Sequence, residues 1–295
     1  MAALAPIQPG LRAGPSVERP ALRDPWWFRA SLLGACALFL IAVLALPLAA
    51  VLVEAFRRGI GPAMKAWSDP DTKAAAWLTL RTAAWVVPLN AAFGIAAGYA
   101  LGKFRFRGRT LLIALIDLPL SVSPVIAGML FVLLFGAQGW FGPWLRDHGI
   151  KILFAPTGIV LATLFVTFPI VARELIAVME ARGRDQEEAA LSLGAGAWTT
   201  FRRVTLPSAR WALLHGIVLC NARAMGDFGA VSVVSGHIRG ETNTLPLHIE
   251  VLYGEYQFQA AFAVAFLLIL MAVVTIVLKH WFELRAASGA AEELA

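Results

Sequence analysis

Charged residues and cysteines are both scarce in this 295-residue chain. Asp, Glu, Lys and Arg together make up 15% of the residues, whereas 59% are hydrophobic and the mean hydropathy is +0.72. This composition predicts a polytopic membrane protein and argues against a water-soluble domain. The two cysteines, Cys36 and Cys220, each stand alone in an apolar run, so neither a disulfide framework nor a cysteine metal site is expected.

Absent motifs narrow the function classes further. No G-x-x-x-x-G-K-[ST] occurs, so the chain is not expected to hydrolyse ATP or to be an enzyme. Neither H-E-x-x-H nor G-x-S-x-G occurs, which leaves an intramembrane enzyme built on Asp117, Glu174 or His215 as a remote alternative. A secondary carrier is a second remote alternative. No cofactor and no metal are predicted in this chain.

Six apolar runs are long enough to cross about 30 Å of hydrocarbon as helices. They cover residues 30–53, 77–101, 110–135, 156–179, 211–234 and 260–280. The sequence therefore predicts an all-α membrane protein with six transmembrane helices. The six runs are expected to form one helical membrane domain. Residues 1–25, rich in Pro and Gly, are predicted as a mobile tail before an uncleaved anchor, with a cleaved signal as the alternative, and residues 282–295 as a second tail.

The basic residues predict the orientation, because connections rich in Lys and Arg stay in the cytoplasm. Six spans put both termini on one side of the membrane, and that side receives sixteen Lys and Arg residues against eight on the other. The connection "GKFRFRGR", with four cations in eight residues, contributes most. Both termini and both tails are therefore predicted to be cytoplasmic.

The longest connection on this side, residues 179–211, contains a polar segment at 185–208. Its first turn is acidic, which favours a short helix, and Gly194 and Gly196 are expected to end that helix.

A second short helix is expected after the glycines. Thr199 or Thr200 is its predicted cap, and Pro207 is expected to close it. The alternative is an amphipathic loop lying on the inner leaflet, with Arg202 and Arg203 at lipid phosphates.

The spacing of residues in this segment follows the pattern E-A-A-x3-G-x9-[IV]-x-L-P. The chain thereby resembles the binding-protein-dependent ABC importer permeases, which carry this pattern in their EAA loop. The matching residues are Glu188, Ala189, Ala190, Gly194, Val204, Leu206 and Pro207. The resemblance implies that the segment forms coupling helices that dock on a separate ATPase subunit.

Three further stretches narrow the resemblance to the sulfate/thiosulfate permeases of the CysW type. They are "IDLPLSVSPVIAGML" (116–130), "FVTFPIVARELIAVM" (165–179) and "NARAMGDFGAVSVVSGHIRGETNTLPLHIE" (221–250). The resemblance implies a type I importer permease fold in a bacterial inner membrane, with the first span at 30–53 and the other five in a type-1 transmembrane domain at 77–281. It also implies a sister permease subunit as hetero-dimer partner, two ATPase subunits that bind ATP and Mg, and a periplasmic sulfate/thiosulfate-binding protein. Molybdate or tungstate transport by the same fold remains open.

Charged residues inside predicted spans are costly and are therefore candidate pathway residues. Asp117 lies in the third run, where Pro119 and Pro124 predict a broken helix. Ser121 and Ser123 are expected to bond carbonyls that the prolines leave free. The alternative is a kinked packing helix with Asp117 bonded internally.

Arg223 and Asp227 lie four residues apart in the fifth run. They are predicted to share one helical face and to pair, forming a weak site for a dianion. A purely structural ion pair is the alternative.

The stretch after the fifth run carries the candidate outer-loop residues Arg239 and Glu241. The resemblance makes it a periplasmic loop facing the binding protein or an outer gate, and an ordinary solvated connection is the alternative. His237 and His248 lie in or beside this loop without a third ligand at suitable spacing, so no metal site is predicted.

Overall fold

A computed structural model describes residues 25–292, with side chains described as far as residue 277. Every regular element in 25–292 is helical, which confirms the predicted all-α class. Residues 1–24 of the predicted N-terminal tail and residues 293–295 of the predicted C-terminal tail lie outside the described residues.

The chain divides into two compact units, residues 1–49 and residues 50–295. The described part of the first unit belongs to α1 (Trp26–Phe56), which includes a π turn at Ile41–Ala45. Its side chains from residue 26 to residue 49 are all exposed, although nearly all are apolar. A helix that is apolar on every side is typical of a membrane span.

The second unit contains the remaining helices. They are α2 (Ile60–Ser68), α3 (Pro70–Lys103), α4 (Arg109–Ser121), α5 (Pro124–Phe135), α6 (Gly142–Asp147), α7 (Pro156–Ala181), α8 (Asp185–Ser192), α9 (Ala197–Thr200), α10 (Arg210–Met225), α11 (Gly229–Ser235), α12 (Leu245–Gly254) and α13 (Phe258–Glu292). A π turn (Phe201–Thr205) and a last short segment (Leu206–Ser208) continue α9.

Four helices among the described residues are long and apolar enough to cross a membrane: α1, α3, α7 and the part of α13 at Phe258–Val277. Two bent helix pairs are also long and apolar enough if each pair counts as one span. These are α4 with α5, bent by 105°, and α10 with α11, bent by 50°. The fold thus offers between four and six candidate spans.

Helix α3 is longer than its apolar run because it begins with a capped polar turn. The Asp69 carboxylate accepts hydrogen bonds from the backbone N–H groups of Asp71 and Thr72, at 3.1 and 3.3 Å. Pro70 occupies the first helical position, where its missing N–H removes no helical bond. With 34 residues α3 is about 51 Å long, well above the hydrocarbon thickness.

Helices α3 and α7 form the centre of the second unit and approach closely through small residues on α3. A Cβ atom at Gly94 would lie 2.6 Å from Val171 Cγ1, and one at Gly98 would lie 2.6 Å from Leu175 Cβ. Both partners on α7 are fully buried. Small residues four apart allow such close contact between membrane helices, where van der Waals packing replaces the hydrophobic effect.

Candidate functional site

The 185–208 segment folds as two short helices joined by a glycine turn, in the form that the sequence predicts. Gly194 follows α8 with φ of +86°, a left-handed conformation that favours glycine. Its N–H donates to Leu191 O, and the N–H of Ala195 donates to Ala190 O, both at 3.0 Å. These two hydrogen bonds form a Schellman motif, which satisfies the last carbonyls of α8.

The predicted cap and end of the second helix are wrong. Gly196 is the N-cap of α9, and Thr200 lies inside the helix, where its hydroxyl donates to Gly196 O at 3.1 Å. Pro207 does not close the helix, because it stands in the first turn of the Leu206–Ser208 segment, where no N–H is needed. From there the chain passes through Ala209 directly into α10.

Glu187 holds α8 against two other parts of the chain. Its Oε1 lies 2.8 Å from Lys103 Nζ at the end of α3, and the Thr205 hydroxyl donates to the same oxygen at 3.0 Å. The two charged side chains are largely buried, with exposed fractions of 6% for Lys103 and 14% for Glu187. Partial burial alone would raise the pKa of Glu187, but the Lys103 ammonium and the Thr205 hydroxyl outweigh it and lower that pKa. We call these three residues the Glu187 anchor.

Further bonds tie the start of the segment to the turn between α3 and α4. The Lys103 ammonium also donates to Gly183 O, and the Arg184 guanidinium donates to Lys103 O. Arg109, the first residue of α4, pairs with Glu180 at 3.0 Å and donates to Leu101 O at 2.7 Å. The segment and the α3–α4 turn therefore lie on the same side of the molecule and are held as one body.

Several other side chains of the segment are exposed. Glu188, the glutamate of the E-A-A pattern, is exposed and makes no side-chain hydrogen bond or ion pair within the described part of the chain. Leu191, Leu193 and Trp198 are exposed by 52%, 89% and 71% of their surfaces. The segment therefore exposes three large apolar side chains and a free carboxylate.

The other residues of the pattern differ in exposure. Ala189, Gly194 and Pro207 are exposed, whereas Ala190, Val204 and Leu206 are half-buried. The pattern thus combines exposed residues with residues that pack the two helices.

The third apolar run is broken where Pro124 predicts, whereas Pro119 lies inside α4. Val122 is extended between α4 and α5, and Pro124 starts α5. The predicted hydroxyl bonds are wrong, since neither Ser121 nor Ser123 makes a side-chain hydrogen bond within residues 25–277. Both serines are exposed at the break.

Asp117 has a partner that the sequence did not suggest. Its Oδ1 lies 3.4 Å from Nε of Arg173 on α7, although the two groups are not aligned as a hydrogen bond. The Arg173 side chain is 60% exposed and Asp117 33% exposed. The contact is therefore a Coulombic pair at an open edge between α4 and α7.

The single helical face predicted for Arg223 and Asp227 is interrupted. Helix α10 ends at Met225, and Asp227 lies in the break before α11. Their charged atoms lie more than 4.0 Å apart, so they form no close ion pair, although the charge of Arg223 still acts on the Asp227 carboxylate. Asp227 is only 2% exposed, and its carboxylate faces the Ala230 N–H and the Thr163 hydroxyl without a well-aligned hydrogen bond to either. Arg223 is exposed.

A buried polar contact connects α3, α7 and α10. The Asn90 amide donates to Thr167 Oγ1 at 2.7 Å and lies 3.3 Å from Cys220 Sγ. Asn90, Thr167 and Cys220 have no exposed surface. Cys220 is thus a small core residue, as its sequence context indicates.

Of the two outer-loop candidates, one has side-chain partners among the described residues and the other has none. The Arg239 guanidinium contacts Glu255 and lies 3.9 Å from Asp71 at the start of α3, whereas Glu241 is exposed and unpaired in the described chain. His248 is buried, and its Nε2 lies 3.0 Å from the Thr72 hydroxyl. Burial lowers the pKa of His248. Among the described residues no group of three His, Cys, Asp or Glu side chains could hold a metal ion.

The chain belongs to the family of binding-protein-dependent transport system inner membrane components, whose model matches residues 94–288. It is 52% identical over 255 residues to the sulfate transport system permease protein CysW of Synechocystis sp., covering 86% of this chain and 92% of the relative.

Two further relatives come from Escherichia coli. CysW of strain K12 is 48% identical over 259 residues, covering 88% of this chain and 89% of the relative. The sulfate transport system permease protein CysT is 34% identical over 233 residues, covering 79% and 84%. These names are those of transport subunits, and they confirm the resemblance to CysW-type permeases that the sequence indicates.

A solved structure shares the fold. It is a bacterial ABC transporter involved in the import of the acidic polysaccharide alginate, with a TM-score of 0.74 at 17% identity. The similarity covers 88% of this chain and 96% of that chain.

Proposed function

We propose that this chain is a permease subunit of an ATP-driven ABC importer that translocates sulfate or thiosulfate across a bacterial inner membrane. The substrate proposal rests on the CysW relatives, which are named sulfate transport permeases and match nearly the whole of both chains. The mechanism is alternating access, in which the chain supplies part of the pathway and performs no chemistry itself.

The proposed topology has six spans, with both termini in the cytoplasm. Counting α4 with α5 and α10 with α11 as one span each gives six. The ion pairs Lys103–Glu187 and Arg109–Glu180 support one shared side for the α3–α4 turn and the 185–208 segment. That side carries most of the Lys and Arg residues, which favours the cytoplasm.

The observation that carries the coupling proposal is the contrast between the buried Glu187 anchor and the exposed side chains of the 185–208 segment. The exposed side chains of Glu188, Leu193 and Trp198 are suited to docking on an ATPase subunit. The segment is fixed through Glu187 to α3 and to α9. A displacement of the docked segment is thereby passed to the spans. The ATP and Mg that drive the cycle bind to two partner ATPase subunits.

The remaining proposed partners are a sister permease subunit and a periplasmic binding protein. The 34% identity to CysT supports a hetero-dimer of related subunits. The alginate transporter was solved with its periplasmic protein, which supports delivery of substrate at the outer mouth. Along the pathway, Asp117, Arg223 and Asp227 are the proposed polar residues.

Deletion of this chain in its host is the direct test of the function. We expect loss of radiolabelled sulfate uptake and loss of growth on sulfate, with growth restored by cysteine and uptake restored by the intact gene. Unlabelled thiosulfate, molybdate and tungstate should be added as competitors in the uptake assay. Unchanged sulfate uptake in the deletion strain would contradict the proposed substrate.

A further inference from the structure

An apolar cleft opens between α3, α4, α5 and α7. It has a volume of about 820 Å³, and Asn90 is the one polar residue in its lining. From Leu89 to Leu101 on α3 the lining extends over 13 residues, or about 18 Å from the first Cα to the last. That length is close to the depth of one leaflet, which is half of about 30 Å.

A basic pocket adjoins the end of this cleft. It has a volume of about 530 Å³ and is lined by the four cations of Lys103, Arg105, Arg109 and Arg184 with the single carboxylate of Glu180. The two cavities meet along the chain, because Leu101 and Phe106 line the cleft and the residues between them line the pocket.

Two of the four cations in the pocket are not neutralised by a carboxylate. Lys103 pairs with Glu187 and Arg109 pairs with Glu180. Arg184 donates only to a backbone oxygen and stands 5.3 Å from the Phe104 ring centre. Arg105 is exposed and has no ion pair within the described residues. The pocket therefore keeps a positive charge next to an apolar cleft.

We propose that the two cavities form one binding site for an anionic phospholipid. The phosphate lies in the basic pocket beside Arg105 and Arg184, and an acyl chain fills the cleft along α3. Charge complementarity selects an anionic headgroup, since basic pockets between transmembrane helices attract anionic lipids, at about fivefold in affinity per cation. The lipid belongs to the leaflet on the side of the 185–208 segment, which is the inner leaflet under the proposed topology.

The same residues place the lipid beside the coupling machinery. Lys103 and Gly183 line the pocket and also take part in the bonds that hold the 185–208 segment. Occupation of the site therefore adds contacts at the junction of α3, α4 and this segment.

The test measures lipid retention by the full-length chain, purified in detergent in the complex that it forms in its host membrane. Native mass spectrometry is performed after addition of phosphatidylglycerol or of phosphatidylethanolamine with the same acyl chains. We expect about tenfold or greater preference for phosphatidylglycerol in the wild type, from two free cations. Arg105→Gln should reduce that preference about fivefold, whereas Arg107→Gln, on the same turn but outside the pocket, should not.

The proposed binding of an acyl chain in the apolar cleft is tested separately. Ala100 is exposed in the cleft, so Ala100→Phe should reduce retention of both lipids, while Ala114→Phe on the exposed side of α4 should not. Equal retention of the two lipids by the wild type, or equal losses for Arg105→Gln and Arg107→Gln, would overturn the site. So would an Ala100→Phe variant that keeps its lipid but loses the sister subunit, because the cleft would then hold a protein helix. These readouts do not depend on sulfate transport, so the site and the proposed function fail separately.

Discussion

The Lys103 ammonium and the Glu187 carboxylate lie 2.8 Å apart at the point where α3 meets the 185–208 segment. Both are largely shielded from water, and Thr205 bonds to the same carboxylate oxygen. Removal of one member of such a pair leaves the other charge buried and unpaired, which is far more costly than loss of an exposed pair.

Lys103→Met should therefore loosen the segment by about 3 kcal/mol while the apolar spans still insert. We expect ATP hydrolysis by the assembled importer to continue with less sulfate transported per ATP. The ratio of uptake to hydrolysis in proteoliposomes measures this. Arg107→Met is the matched control, since Arg107 is exposed on the same turn. The charge-swapped double variant Lys103→Glu/Glu187→Lys should recover part of the lost ratio of uptake to hydrolysis. An unchanged ratio in Lys103→Met would refute the coupling role of the Lys103–Glu187 pair.

The pH dependence of this contact has a defined sign. The pKa of Glu187 is lowered in the folded state. The stabilisation that the Lys103–Glu187 pair gives to the segment is therefore fully present above the unfolded pKa of about 4.3. The contribution is lost as the pH falls through the lower folded pKa. Hydrogen–deuterium exchange of residues 185–208, corrected for intrinsic rates, should be constant from pH 8 to about 5 and should rise at more acid pH. Glu187→Gln should remove the acid transition, and a transition near pH 6 in the wild type would contradict the assignment.

Gly194 is constrained by its backbone conformation and not by space. No atom lies within 4 Å of a Cβ built on this residue, but its φ is +86°. Gly194→Ala should therefore cost about 1 kcal/mol and reduce coupling nearly as much as a bulky residue does. Gly194→Asn should be milder, because Asn tolerates the left-handed region. Uptake per ATP hydrolysed distinguishes the outcomes: normal coupling in both Ala and bulky variants would argue against a role of the turn in docking.

Gly98 is constrained by space. A Cβ there would lie 2.6 Å from Leu175 Cβ, so Gly98→Leu should force α3 and α7 apart and destabilise the fold by several kcal/mol. We expect lower thermal stability in detergent and loss of assembly. Gly254→Leu is a suitable control, because that glycine has no atom within 4 Å of the built Cβ. A thermal midpoint equal to that of the control variant would mean that the close α3–α7 packing is wrong.

The sequence predicted the features that depend on local chemistry. Apolar runs predicted helices, Pro124 predicted the break after α4, and Gly194 predicted the turn between α8 and α9. Each depends on residues within a few positions, which a single chain displays directly.

The sequence did not predict features that need two distant segments. The partner of Glu187 lies 84 positions away, and that of Asp117 is 56 positions away. The single face predicted for Arg223 and Asp227 is interrupted because a spacing of four assumes a continuous helix, and Gly226 ends it. The spacing of Gly94 and Gly98 was a usable signal for close helix packing, since small residues four apart mark such contacts.

Helix α3 connects contacts at both ends of the molecule. Asp71, Thr72 and Thr79 near its start hold the outer-loop region through Arg239, His248 and the Leu245 N–H. Lys103 at its other end holds Glu187. A rod about 51 Å long that tilts by about 5° displaces one end relative to the other by about 4 Å. A small rotation imposed on the 185–208 segment is therefore geometrically sufficient to shift the region around Arg239 and His248 by the width of a side chain.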